Sequence, residues 1–318
     1  MTVRIREVDL GDEDLATFAD IVNETTPDDP TSIEEIRWSA AAYPGASRVI
    51  LEADGRPVGT ASVGRIYVFP PDFDAFWATV NVLPDARRQG HGTALLAAVS
   101  DKARAAGKVA LHIPASDARP DGIDFLVHRG FHESERNKTV HLELAGMTAP
   151  SVDLPIGVSL TTLAERPDLI EGVHAVAVET YADVPGGETP MAAGDLGEFR
   201  KRDVDRPSIP PAAFFIATED ATGRVVGYAN LLLQAPHRRR IAWHAMTAVT
   251  REWRGRGLAT ALKRATIGWA IADGLDLLEA NNDTDNVAMR AVNGRLGYVP
   301  SPDTVILRGP LVGGIMDS

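Results

Sequence analysis

Two turns rich in arginine and glycine are the stretches of this sequence best suited to hold an anion. Arg254, Gly255, Arg256, Gly257, Leu258, Ala259 and Thr260 join an apolar, strand-like segment ending at Val249 to a helix-like run rich in alanine and leucine. Arg87, Arg88, Gln89, Gly90, His91, Gly92 and Thr93 have the same setting after Val82. A chain that leaves a strand through glycines and enters a helix bares several main-chain N–H groups, and the helix dipole adds positive potential there. Glycine also lets a phosphate approach the main chain where a Cβ would obstruct it. Arg254 and Arg256 bring further positive charge, as Arg87 does in the earlier turn. Such sites suit the diphosphate of a nucleotide-containing cofactor, and these fourteen residues are the candidates to bind it.

The elements around the turns come twice. VLPDARRQGHGTALL from Val82 aligns with VTREWRGRGLATALK from Val249, an offset of 167 that also carries Gly107 onto Gly274, Gly130 onto Gly297 and Phe131 onto Tyr298. Upstream, GRPVG at Gly55–Gly59 matches GRVVG at Gly223–Gly227. So long a period is a domain duplication, because solenoid units run to only about 20–50 residues. In each half a hairpin and a further strand precede the glycine turn, and one crossover helix, a strand, a short helix and a Gly-Phe or Gly-Tyr follow it. Strands first and a single late crossover predict an α+β fold with a mixed sheet in each half. The Pro- and Gly-containing stretch from Ala145 to Gly157 reads as a linker. The expected division is residues 1–146, a linker at 147–157, and 158–318.

Composition narrows the partners. The chain has 318 residues, 44% apolar and 24% charged, as in ordinary globular domains. Its formal net charge of −12 disfavours nucleic acid. There is no cysteine, so disulfides, thiolate metal sites and cysteine nucleophiles are excluded, and no metal site is expected. No apolar run is long enough to span a bilayer and the opening MTVRIREVDLGDED lacks an export segment, so the expectation is a cytoplasmic protein with no membrane partner, monomeric or homodimeric.

Neither turn is a P-loop, which needs Lys-Ser or Lys-Thr after the glycines, nor a dinucleotide fingerprint, which would need glycine at Thr260 and Leu95. Both meet [RQ]-x-x-G-x-[GA] instead. On these turns, and on Asn286, Asn293, Gly297 and Tyr298 spaced as N-x6-N-x3-G-Y, the chain resembles the GCN5-related N-acetyltransferases (GNAT) and looks like a tandem member. The resemblance implies two GNAT-like domains, each a mixed, mostly antiparallel sheet with helices on both faces. It implies acetyl-CoA as cofactor and direct transfer of acetyl to the primary amine of a small molecule. The strand before the turn would splay from the next one, so that main-chain N–H groups at Thr247, Ala248 and Val249 (Val82 in the first half) polarise the thioester. Asn286 and Asn293 would help hold the cofactor, Asn286 equally reading as a helix N-cap.

For the base the resemblance points to His244, five residues before Val249, and then to Glu279 on the next strand; a fixed offset puts Trp77 and His112 at those places in the first half. The family's acid, a tyrosine, falls on Asn293 and on Leu126, neither of which can donate a proton to a thiolate. Tyr298, at the family's aromatic packing position, completes the catalytic candidates. Asp183 and Glu188, with Asp195 and Glu198, stand in the long irregular segment Tyr181–Pro211 and could receive a cationic amine. The first half, with Arg119 and Leu126 in place of Asn286 and Asn293, reads as degenerate. The alternatives are a non-catalytic acyl-CoA sensor, consistent with the missing tyrosine, and a scaffold with both turns vestigial.

Overall fold

A computed structural model describes residues 2–186, 189–235 and 239–313. Glu188 lies outside the described residues. The chain forms two compact units, one of residues 1–136 with 303–318 and the other of residues 137–302.

In the first unit β1 (Val3–Glu7), β2 (Ser47–Ala53), β3 (Arg56–Arg65) and β4 (Ala75–Val82) pair antiparallel in that order. β4 then pairs parallel with β5 (Ala110–Ser116), across α3 (His91–Ala105). Helices α1 (Asp12–Thr25) and α2 (Ile33–Ala42) come between β1 and β2, and α4 (Pro120–Val127) follows β5. Strand periodicity sorts the faces. Ile50 packs with α1 and α2, while its neighbours Val49 and Leu51 pack in the cluster that contains Leu95, Leu96 and Val99 of α3.

The second unit repeats the plan. β7 (Val158–Thr162), β8 (Phe214–Glu219), β9 (Val225–Leu233) and β10 (Ile241–Val249) are antiparallel, and β10 pairs parallel with β11 (Leu277–Asp283) across α7 (Leu258–Ala272). α5 (Ile170–Thr180) and the four-residue α6 (Leu196–Phe199), which runs into a π turn at Arg200–Val204, come between β7 and β8; α8 (Val287–Arg295) follows β11. Val173 and Val176 of α5 cover one face, and Leu262, Ile267 and Ala270 of α7 the other.

The units depart from the sequential halves at their last strands. In the long β6 (His132–Glu143), residues Asn137–Glu143 pair antiparallel with β11, and the short β12 (Val299–Pro300) also pairs with β6. The C-terminal β13 (Thr304–Pro310) pairs instead with β5. Each unit's sixth strand therefore comes from the other half of the chain, and no cut at 147–157 separates the units. The physical reason is local. Both strands are alternating segments following a Gly-aromatic turn, and either satisfies the open edge of β5 or of β11.

Candidate functional site

β10 stays paired with β9 along its length but touches β11 only from Ile241 to Trp243. From His244 to Val249 the side toward β11 has no strand partner among the described residues, so β10 and β11 form a split. β4 and β5 part in the same way after Trp77 and His112. A split of this kind leaves alternate main-chain N–H groups of β10, in the Thr247–Val249 stretch, without ladder bonds.

The split ends at the glycine turn. Gly257 is the N-cap of α7 with φ 86°, and Gly255 has φ 73°. Both lie in the left-handed region, where a side chain costs about 1 kcal/mol. A Cβ built at either would meet nothing within 4 Å. No side chain caps α7, and among the described residues no acceptor takes the main-chain N–H of Gly255, Arg256, Gly257, Leu258, Ala259 or Thr260; the first bonded amide is that of Ala261, to the Gly257 carbonyl. Arg254 and Arg256 flank these amides, the first with Nε on the Val249 carbonyl at 3.0 Å, the second with its guanidinium 4.7 Å from the Trp253 ring centre. A bare row of amides at a helix N-terminus beside arginines is suited to an anion.

The first turn repeats this with differences. Gly90 caps α3 at φ 89°, and Arg87 Nε meets the Val82 carbonyl at 3.1 Å. The position of Gly255 is taken by Arg88, strained at φ 63°. Phe125 lies 3.3 Å from where a Cβ on Gly92 would stand, Arg129 stacks on Phe125 and donates to Thr93 Oγ1 at 2.7 Å, and the His91 side chain turns into the core. His112, the counterpart of Glu279, has Nε2 3.1 Å from Arg308, and burial followed by that charge pushes its pKa down to about 4.

In the second unit the proton-transfer candidates lie on opposite faces. Ala242 and Leu278, paired in register, pack against α7, so the next pair, Trp243 and Glu279, faces the other way. Glu279 is half-buried, accepts from Gln234 Nε2 at 3.3 Å, and stands at the last paired position before the split. His244 points toward α7. It is buried, its Nε2 is hydrogen-bonded to Tyr298 Oη, and its Nδ1 has no partner among the described residues. Burial, with the Lys263 charge adding to it, holds His244 well below the usual histidine value. A buried, weakly basic imidazole with one nitrogen already engaged does not suit a general base for an ammonium.

The fixed offset also misplaced its first-half partner. β10 carries a bulge between His244 and Met246, absent from β4, so Trp243 matches Trp77 and His244 matches Ala78. Tyr298 is buried as expected of a packing aromatic, but its hydroxyl is engaged. Lys263 of α7, which sequence reading passed over, is 1% exposed with Nζ 5.2 Å from the Tyr298 ring centre, and burial lowers its pKa to about 7. Its signal was available: the matching helix position in the first half is Leu96.

Asn286 caps α8, its Oδ1 accepting from Met289 N at 3.2 Å. Asn293 is buried; its Nδ2 donates to Asn282 Oδ1 at 2.8 Å, while its own Oδ1 has no partner among the described residues, and neither has the buried Thr247 Oγ1. Asp183 is not available to an amine. It bridges Arg251 (2.7 and 2.9 Å) and Arg254 (2.8 Å), and these hydrogen bonds hold its pKa down at about 2. Asp195 caps α6, accepting from Glu198 N at 2.9 Å. A cavity of about 360 Å³ lined by Leu163, Ile170, Arg206 and Ile209 contains no residue of the turn or the split.

The pattern of the Acetyltransferase (GNAT) family matches residues 14–131 and again 185–298. A mycothiol acetyltransferase of Streptomyces coelicolor is 28% identical over 273 residues, covering 84% of this chain and 81% of its own. One from Stackebrandtia nassauensis is 29% identical over 268 residues, covering 80% of each. Among solved structures, a tandem GNAT protein from the clavulanic acid biosynthesis pathway superposes with a TM-score of 0.76 at 20% identity, covering 98% of this chain and 99% of that one.

Proposed function

Because the chain belongs to the GNAT acetyltransferase family, we propose that its second unit binds acetyl-CoA at the turn Arg254–Thr260 and catalyses acetylation of a primary amine on a small molecule. The observation that carries this reading is the uncapped row of amides from Gly255 to Thr260, at the end of a strand that has left its neighbour. The residues present fit the group. The amides and Arg254 and Arg256 suit a diphosphate, and the unpartnered Thr247 Oγ1 and Asn293 Oδ1 suit the hydroxyl and amides of a pantetheine arm. When bound, acetyl-CoA supplies an acyl group already activated as a thioester.

The chain's own part is positioning and proton handling. The β10 amides that face the split are fixed donors for negative charge developing on a carbonyl oxygen. Glu279, at the apex of the split on the face away from α7, takes the proton from the incoming ammonium, directly or through water. Asn293 cannot serve as an acid, so solvent protonates the departing thiolate, whose ordinary thiol pKa of about 8.5 makes it a fair leaving group. The acceptor is read as a small amine, since the relatives at 28–29% identity are mycothiol acetyltransferases. The first unit, with Phe125 against Gly92 and His112 held by Arg308, serves mainly as structure.

A thiol-release assay with acetyl-CoA over a panel of amino sugars, polyamines and amino acids tests the reading. Release that depends on one class of amine is expected. Binding of acetyl-CoA with no release for any amine would favour the sensor, which the asparagine at the family's tyrosine position also fits.

A further inference from the structure

Three buried positions of the second unit carry titratable side chains where the first unit is apolar. His244 matches Ala78, Lys263 matches Leu96 and Tyr298 matches Phe131, and those three apolar residues share one hydrophobic cluster. The helix positions are equivalent, since α3 and α7 are both 15 residues long and begin at capping glycines. So are the aromatic ones, since Phe131 N bonds the Leu126 carbonyl as Tyr298 N bonds that of Asn293. The fold is therefore satisfied by alanine, leucine and phenylalanine. Burying an imidazole, a phenol and an amine in their place is unfavourable unless the polar groups serve something else.

The hydrogen-bond geometry fixes where the imidazole proton sits. Tyr298 Oη has His244 Nε2 as its hydrogen-bond partner. If Nε2 carried the proton, the phenol O–H and the Nδ1 lone pair would both be left unsatisfied in the interior. If the phenol donates to Nε2, the proton is on Nδ1 and one N–H is left over. Each unmade buried bond is unfavourable, so the second arrangement is favoured. Around the ring the titratable groups among the described residues are Tyr298, beyond α8, and Lys263 on α7; Leu231 of β9 lies opposite His244, while Glu279 on β11 and His141 of β6, paired with it, occupy the other face.

We propose that Tyr298 and Lys263 are positioning residues that hold His244 neutral with its proton on Nδ1, leaving Nδ1–H as a fixed donor where β10 parts from β11. The donor role rests on the acetyl-transfer reading: Nδ1–H gives a hydrogen bond, not a proton, to the acyl group or sulfur in the split, partly replacing the absent tyrosine. The tautomer itself stands without that reading.

Ring ¹⁵N NMR of the intact protein, with His244 assigned by His244→Asn, tests it between pH 5 and 9. Expected are a protonated Nδ1, an acceptor Nε2 and a ring that stays neutral well below the ordinary histidine value. Tyr298→Phe, the first unit's own residue, should mix the tautomers and lower kcat about tenfold with little change in KM for acetyl-CoA, the effect of one lost hydrogen bond of about 1.4 kcal/mol. Lys263→Leu should raise the pH at which His244 titrates. A proton on Nε2, or titration near pH 6.5 in the unsubstituted protein, overturns the proposal. A shifted tautomer with unchanged kcat overturns the donor role. The expected ring signals without thiol release overturn the acetyl-transfer reading and leave the tautomer standing.

Discussion

At the scale of single residues, proton handling and hydrogen-bond donation are divided between Glu279 and the buried group on the opposite face. Glu279→Gln removes the carboxylate but keeps the shape, so kcat should fall by roughly 10²–10⁴ while the dissociation constant of coenzyme A is unchanged; equal rates in a thiol-release assay would remove Glu279 as the base. Lys263 makes a second prediction through pH. Its folded pKa of about 7 lies below the ordinary 10.5, so between those values the unfolded chain binds more protons and stability must rise with pH. Between pH 7 and 9 the rise attributable to this group is roughly 2 kcal/mol, and Lys263→Leu should flatten it in urea unfolding measured at both pH values. Here the sequence was least legible. Spacing from Val249 gave His244 the base's position, but a one-residue bulge at Ala245 turned its side chain to the helix face. Asp183 was misread for a similar reason: its partners Arg251 and Arg254 are 68 and 71 residues away, and no local pattern announces such a bridge.

At the scale of elements, the strand–glycine turn–helix unit was legible because its physics is local. Glycines at positive φ and a helix with no capping side chain are written in the order of six residues, and both copies fold as their spacing predicts. The turn also separates binding from stability. Gly257→Ala should cost about 1 kcal/mol at φ 86°, a modest fall in melting temperature. Its methyl group projects into the open space above the amides, so affinity for coenzyme A by calorimetry should drop at least about tenfold, beyond anything the small loss of stability explains. An unchanged affinity would mean that the anion does not approach this main chain.

At the scale of the whole molecule, the repeat announced two units of one plan, while the exchange of last strands stayed hidden. Equivalent segments compete for equivalent edges, and nothing in either strand's pattern says which half will use it. The exchange has a consequence. Residues 1–157 and 158–318 expressed separately each lack the strand that completes a sheet, so both should aggregate or lose cooperative melting, and co-expression should recover a soluble pair. Two separately stable, monomeric halves would contradict the strand assignment. The whole reading stands on the amides that begin α7, and a crystal structure of the protein grown with coenzyme A puts them to the test. Diphosphate oxygens are expected about 2.7–3.2 Å from main-chain nitrogens between Gly255 and Thr260, with the pantetheine arm between β10 and β11. A diphosphate bound elsewhere, with those nitrogens in contact only with solvent, would contradict it.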